Sequence, residues 1–182
     1  MKKLPAIVTL LGACVFAAAC SPLAPEDPVP PTHASPSPLA PEFAGIEHWI
    51  NSPALKMGEL RGKVVLVEFW TYSCINCARV APHVKQWHER YRDQGLVVVG
   101  VHTPEYGYEK QLGNVQDAVK QFGIRYPVAM DNGYATWNAY GNRFWPALYL
   151  IDQEGRIVYQ HLGEGEYAQT EAKIRSLLMG GR

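Results

Sequence analysis

Lys63–Trp70 reads Lys-Val-Val-Leu-Val-Glu-Phe-Trp, a β-branched and aromatic run with almost no polar alternation. Such a run marks a strand buried on both faces. Leu96–Val101 repeats the pattern as Leu-Val-Val-Val-Gly-Val. Between them, residues 75–93 predict a helix interrupted in its middle by Pro82. Val115–Phe122 predicts a second helix, Pro127–Met130 a short strand, and Tyr134–Tyr140 a short helix. Ala147–Ile151 and Arg156–His161 flank Asp152-Gln153-Glu154-Gly155, the signature of a hairpin. Thr170–Met179 then predicts a closing amphipathic helix, and residues 43–62 an N-terminal hairpin. Strand–helix–strand–helix followed by a hairpin and a helix predicts an α/β domain. Its central sheet is expected to be mixed but mostly parallel, with helices on both faces.

The first 41 residues follow other rules. Met1-Lys2-Lys3 is a short positive end, and Leu4–Ala19 carries no charge over 16 residues. A bilayer-spanning helix needs roughly 20 apolar residues, so residues 1–19 read as an export signal. Ala17-Ala18-Ala19 supplies small residues for cleavage, and Cys20 follows at once. That arrangement resembles the lipobox of bacterial lipoproteins, which implies lipidation of Cys20 and a membrane anchor; plain cleavage at the same bond is the alternative. Leu11-Gly12-Ala13-Cys14 matches the box too, but cutting there would leave an apolar Val15–Ala19 end. Both alternatives place the domain in the periplasm or on the extracytoplasmic face of a membrane. Residues 22–41 contain eight prolines among 20 residues. Proline at that density favours extended polyproline II, a semi-rigid tether over residues 20–41, or else a merely disordered leader. The folded domain is expected over residues 42–182.

Charge narrows the partners. Lys+Arg and Asp+Glu both number 17, so there is no basic field for nucleic acid. With 47% hydrophobic and 19% charged residues the chain has the makings of one ordinary core.

Cleavage at Cys20 would leave Cys74 and Cys77 as the thiols of the domain, in Cys74-Ile75-Asn76-Cys77 at the junction of the first buried strand and its helix. As a structural disulfide the pair closes too small a loop to remove much unfolded-chain entropy. As a closed zinc site it lacks a second pair of ligands. As a redox pair it fits: a cysteine at a helix N-terminus meets unsatisfied N–H groups that stabilise its thiolate. The second, three residues on, shares its helical face and can attack a mixed disulfide. Cys74 is therefore expected to be the nucleophile and Cys77 the resolving thiol, with no cofactor and no metal.

Glu68-Phe69-Trp70-Thr71-Tyr72-Ser73-Cys74-Ile75-Asn76-Cys77 resembles the thioredoxin-like superfamily, in its TlpA/ResA branch of membrane-tethered bacterial thiol–disulfide oxidoreductases. The likeness is strongest to the extracytoplasmic thioredoxin-like domain of DipZ-type proteins. It extends through Gly100–Glu105, Gly123–Val128 and Tyr134–Asn142. The resemblance implies that Pro82 kinks the active-site helix and that Glu68 is a buried carboxyl taking the resolving thiol's proton. Glu68 could instead reach solvent, but a carboxyl inside a Val/Leu/Phe run is costly to bury charged. It also implies that Trp145–Pro146 is a cis bond whose backbone pairs with a substrate strand. Trp145, Trp70 and Tyr72 are candidate partner contacts, although packing in the wall explains Trp70 and Tyr72 equally well. Residues 104–126 would supply the strand–helix insertion of the branch.

Ser73 stands where relatives often carry tryptophan, and the uncharged Ile75-Asn76 pair does not by itself set the direction of electron flow. By resemblance, a CcdA/DsbD-like membrane protein would recharge the dithiol, and the clients would be disulfide-containing envelope proteins. Two other chemistries use the same residues. A copper metallochaperone would bind through Cys74, Cys77 and His161, since paired thiolates with a histidine suit copper(I); His83 and His88 read as packed or solvated. A thiol peroxidase is suggested by the Thr71-x-x-Cys74 spacing, without the upstream proline of that motif.

Overall fold

The computed structural model describes residues 37–180. Its strands are β1 (His48–Ile50), β2 (Val64–Trp70), β3 (Leu96–His102), β4 (Val128–Met130), β5 (Ala147–Ile151) and β6 (Ile157–Leu162). Its helices are α1 (Ile75–Tyr91), α2 (Leu112–Phe122), α3 (Ala135–Ala139) and α4 (Tyr167–Gly180). The strands form one sheet in the order β1-β4-β3-β2-β5-β6, a thioredoxin-like α/β arrangement. The two apolar runs pair in parallel at its centre, with Val64 opposite Leu96 and Trp70 opposite His102.

Position parity along β2 divides the core. Val64, Leu66 and Trp70 face a cluster containing Cys77, Val80, Val84 and Trp87 of α1 and Ile174 of α4. Val65, Val67 and Phe69 face Trp137 of α3, Tyr149 and Met57 on the other side. Each such side chain contributes about 1.5–3 kcal/mol on full burial. Glu68 has the parity of Leu66 and Trp70, so the fold buries a carboxyl beneath the helix that carries the cysteines.

Four expectations need correction. The sheet is mixed, but "mostly parallel" holds only for its centre: β2–β3 and β3–β4 are parallel, whereas β1–β4, β2–β5 and β5–β6 are antiparallel. Residues 43–62 form no hairpin; β1 pairs with distant β4, and Met57–Leu60 is a 3-10 turn. Pro82 does not break its helix, because α1 runs through it from Ile75 to Tyr91. The 104–126 insertion contains a 3-10 turn (Gly107–Lys110) and α2 but no strand.

The fold also takes in residues assigned to the tether. The Ala40 N–H donates to Gly155 O at 2.9 Å, the Ile157 N–H donates to Pro38 O at 2.9 Å, and Leu39 bridges Arg156. The start expected at residue 42 is therefore a few residues late, because backbone pairing with the β5–β6 turn leaves no trace in hydropathy. The export signal, Cys14 and Cys20 lie outside the described residues. No described helix is long and apolar enough to cross a membrane.

Candidate active site

The chain leaves β2 at Trp70 and enters α1 at Ile75, and Cys74 is the residue that caps the helix. It has extended backbone angles, and its Sγ accepts the Cys77 N–H at 3.2 Å, the bond that a serine or aspartate oxygen makes at other helix starts. Its own N–H donates to Thr71 O at 3.4 Å, closing the turn. Cys74 is half-buried and Cys77 buried, and both are free thiols.

The two sulfurs are electrostatically opposite. A hydrogen bond from the Cys77 thiol lowers the Cys74 pKa to about 7, helped by the Cys77 and Asn76 N–H groups and opposed by partial burial and Glu105. Cys77 is pushed far upward, first because that thiol–thiol bond holds its proton and second because it is buried. The half-buried Cys74 thiol is thus the readier of the two to ionise, beside a buried partner that keeps its proton.

Glu68 lies on the same side of the sheet and is almost wholly buried. Burial raises its pKa from 4.5 to about 7, a hydrogen bond from Tyr126 works against the rise, and the Cys74 charge adds to it. The Tyr126 hydroxyl donates to Glu68 Oε2 at 2.9 Å. The bland alternative, a carboxylate reaching solvent from the strand, does not hold, because α1 covers this face.

Across the sheet, Ala147 pairs with Phe69, which sets Pro146 level with Trp70 beside the cysteine loop. The Trp145–Pro146 bond is cis. Trp145 is held by its indole N–H, which donates to Thr103 O at 3.0 Å, and by contact with Trp137 at 4.2 Å between ring centroids. The Pro146 carbonyl already accepts the Gly163 N–H at 2.8 Å.

Other expected contacts are placed differently. Trp70 is only 2% exposed, packed between His102 and Phe122, so it is wall and touches no partner. Strand parity turns it into the core. Tyr72 keeps partial exposure; it stacks on His102 and its hydroxyl donates to Tyr108 O at 3.3 Å. His161 is on β6 opposite Leu148, and among the described residues no three His, Cys, Asp or Glu side chains converge as metal ligands. The copper set of Cys74, Cys77 and His161 is therefore not assembled. The Thr71 hydroxyl is within 3.3 Å of His102 Nε2 and is buried, so it is engaged in the wall of the site rather than poised for peroxide. His83 stacks on Tyr167 and His88 packs edge-on against Tyr126, so both are packed side chains.

Sequence reasoning missed the carboxylate that holds the cysteine loop. Glu109, on the 3-10 turn of the insertion, is buried and accepts the Ser73 hydroxyl at 2.5 Å and the Ser73 N–H at 3.3 Å. Its other oxygen accepts the N–H groups of Glu105 at 2.6 Å and Tyr106 at 2.8 Å. Burial pushes its pKa up, but bonds from Ser73, Thr71, Tyr106 and Glu105 outweigh that and hold it below the usual value. Its bonds to Glu105 and Tyr106 are local, but nothing in the local pattern announces the contact with the cysteine loop, since Ser73 lies 36 residues upstream.

Glu109→Ala is expected to cost about 2–4 kcal/mol in urea unfolding at pH 7, because several donors lose their shared acceptor. A carboxyl with a depressed folded pKa stabilises fully above its unfolded value and loses that contribution as pH falls through the folded one. The gap between wild type and variant should therefore narrow on acidification below the unfolded value.

The profile of the Redoxin family matches residues 40–178. Protein DipZ of Mycobacterium bovis is 54% identical over 142 residues, covering 76% of this chain and 20% of DipZ. The chain thus spans about a fifth of that relative's length. Thiol-disulfide oxidoreductase YkuV of Bacillus subtilis is 28% identical, covering 76% of this chain and 93% of YkuV. Among solved structures, a thiol-disulfide isomerase from Corynebacterium glutamicum superposes with a TM-score of 0.69 at 28% identity, covering 76% of this chain and 96% of that one.

Proposed function

The chain belongs to the Redoxin family, and from that premise we propose that it is a thiol–disulfide oxidoreductase exchanging a Cys74–Cys77 dithiol with the disulfides of other proteins. The observation that carries the reading is the pairing of a helix-capping, half-exposed Cys74 with a buried Cys77 on the face that also buries Glu68. The Cys74 thiolate attacks one sulfur of a client disulfide; that S–S bond breaks and a mixed disulfide forms, while the leaving client sulfur takes a proton. Glu68 accepts the Cys77 proton, and the Cys77 thiolate attacks Cys74 Sγ. The second client sulfur leaves and is protonated. Two electrons have passed to the client, and the protein ends as the Cys74–Cys77 disulfide.

The Trp145–Pro146 edge, level with the cysteine loop, would be the docking edge, as the family resemblance implies. With the Pro146 carbonyl taken by Gly163, pairing with a client strand falls to the Trp145 backbone. Trp145 and Tyr72 border the same side of the core as Cys74 and would line that contact.

The wider setting rests on resemblance and on the N-terminal sequence. The charge-free Leu4–Ala19 run followed by Cys20 supports export to the extracytoplasmic side and a lipid anchor. The resemblance of the cysteine motif to membrane-tethered bacterial oxidoreductases is what suggests recharging by a CcdA/DsbD-like membrane protein and clients among disulfide-containing envelope proteins.

Redox titration of the protein against glutathione, followed by tryptophan fluorescence, tests the reading. A reversible two-electron transition near about −270 mV is expected, the range of a reductant. A midpoint near about −120 mV would reverse the flow and make the protein a disulfide donor. No two-electron transition would overturn the proposal.

A further inference from the structure

Glu68 is buried among apolar side chains, with one hydroxyl to hold it. Tyr126, in the segment between α2 and β4, is itself fully buried and donates its hydroxyl to Glu68 Oε2 at 2.9 Å. Other bulky groups surround the pair, and the backbone makes room for the contact. Gly100 of β3 stands directly opposite Glu68 in the parallel register. A Cβ at residue 100 would lie 3.0 Å from Tyr126 Cε2 and 2.9 Å from Trp70 Nε1, closer than side chains pack. The missing side chain at Gly100 is thus what lets the Tyr126 ring lie against the sheet within reach of the carboxyl.

We propose that Tyr126 is the positioning residue of the proton acceptor: its hydroxyl holds the Glu68 carboxylate in place while Glu68 takes the Cys77 proton, and Gly100 provides the space. The proposal rests on the role given to Glu68 above. In the exchange, a proton leaves Cys77 Sγ and binds a Glu68 oxygen, and the Tyr126 O–H stays intact, donating to Oε2 throughout. The hydrogen bond favours the charged carboxylate, so it keeps Glu68 able to act as a base near neutrality instead of being locked in the acid form by burial.

The groups facing this pair are few. From α1 come Cys74 and Cys77, both felt by Glu68 or Tyr126. His88, also of α1, meets the Tyr126 ring edge-on at 5.7 Å. Lys85 and Glu89 of α1 and Arg125 line the cavity at the outer side of Tyr126. The sheet side contributes Gly100, Trp70 and Leu148, which carry no charge, and the titratable His102 against Trp70 and His161 opposite Leu148; α4 contributes apolar Ile174 and Leu178.

Tyr126→Phe keeps the ring and removes the hydroxyl, so it separates positioning from packing. Two readouts are to be compared with wild type: the pH profile of mixed-disulfide resolution, and the Glu68 carboxyl titration followed by 13C NMR. Both midpoints are expected to move alkaline by about 1–2 pH units, the size of a lost hydrogen bond to a charged group. Iodoacetamide alkylation of Cys74, which Tyr126 does not touch, is expected not to slow. Unmoved midpoints, or a Cys74 rate that falls in parallel, would overturn the positioning role.

Glu68→Gln keeps the two claims apart. If it removes the pH dependence of resolution while Tyr126→Phe leaves both midpoints in place, Glu68 is the acceptor and Tyr126 is only packing. If Glu68→Gln leaves the resolution profile as in wild type, the reading of Glu68 itself fails.

Discussion

Cys74→Ser is expected to reduce the exchange rate with a small disulfide substrate by about 10³-fold or more, because a serine hydroxyl at neutral pH is not a nucleophile towards sulfur. Cys77→Ser is expected to do something different: attack still occurs, but the mixed disulfide accumulates and is captured as a covalent complex on non-reducing gels. The asymmetry follows from the structure. Cys74 is half-exposed and caps the helix, with its pKa brought down to about 7 by the Cys77 thiol and by N–H groups at the helix start. Alkylation of the reduced protein by iodoacetamide should accordingly rise with a midpoint near pH 7 and go to Cys74 alone. Cys77, buried and holding its proton, should remain unmodified until the fold is opened. Equal modification of both thiols, or an alkylation midpoint at the ordinary thiol value, would contradict this division of labour.

Glu68→Gln is expected to make the protein more stable and slower. The folded pKa of about 7 lies above the ordinary 4.5, mainly because the carboxyl is buried. A carboxyl with a raised folded pKa binds more protons in the native state than in the unfolded state. Its neutral form is therefore tolerated at low pH, and stability is lost as pH rises from the unfolded value through the folded one. A difference of about two and a half units corresponds to roughly 3 kcal/mol. The variant has no charge to bury, and its amide oxygen can still accept from Tyr126. Urea unfolding should show the two proteins differing little near pH 4.5 and the variant ahead by about 3 kcal/mol above pH 8. Over the same range, resolution of the mixed disulfide should slow. A stability gap that does not depend on pH would mean that Glu68 is solvated, contrary to the packing around it.

Both predictions concern residues visible in the sequence, and they differ in how much of their chemistry was visible there. The Cys74-Ile75-Asn76-Cys77 spacing at a strand–helix junction already implies a nucleophile at a helix start and a second thiol on the same face. Glu68 is conspicuous because it interrupts an apolar run. Its direction, towards α1 or towards solvent, depends on which face the helix covers, and that is a tertiary fact. Trp70 shows the opposite case: beside the motif it looks like a partner contact, and strand parity turns it into the core. The supposed hairpin at residues 43–62 failed for the same kind of reason. β1 is three residues long, and its partner β4 lies some 80 residues away, so no local turn signal could announce the pairing.

By itself the sequence determined the α/β class, the two central strands and the placing of two thiols three residues apart at a strand–helix junction, because these rest on periodicity and on spacings of a few residues. The tertiary structure decided the identity of the supporting groups. Glu109 reaches Ser73 across 36 residues, Tyr126 reaches Glu68 across 58, and Gly100 makes space for the latter contact. Hydrogen bonds to a buried carboxylate are worth forming wherever the folded chain brings a donor, so their partners are set by register and layer packing and not by proximity in the chain.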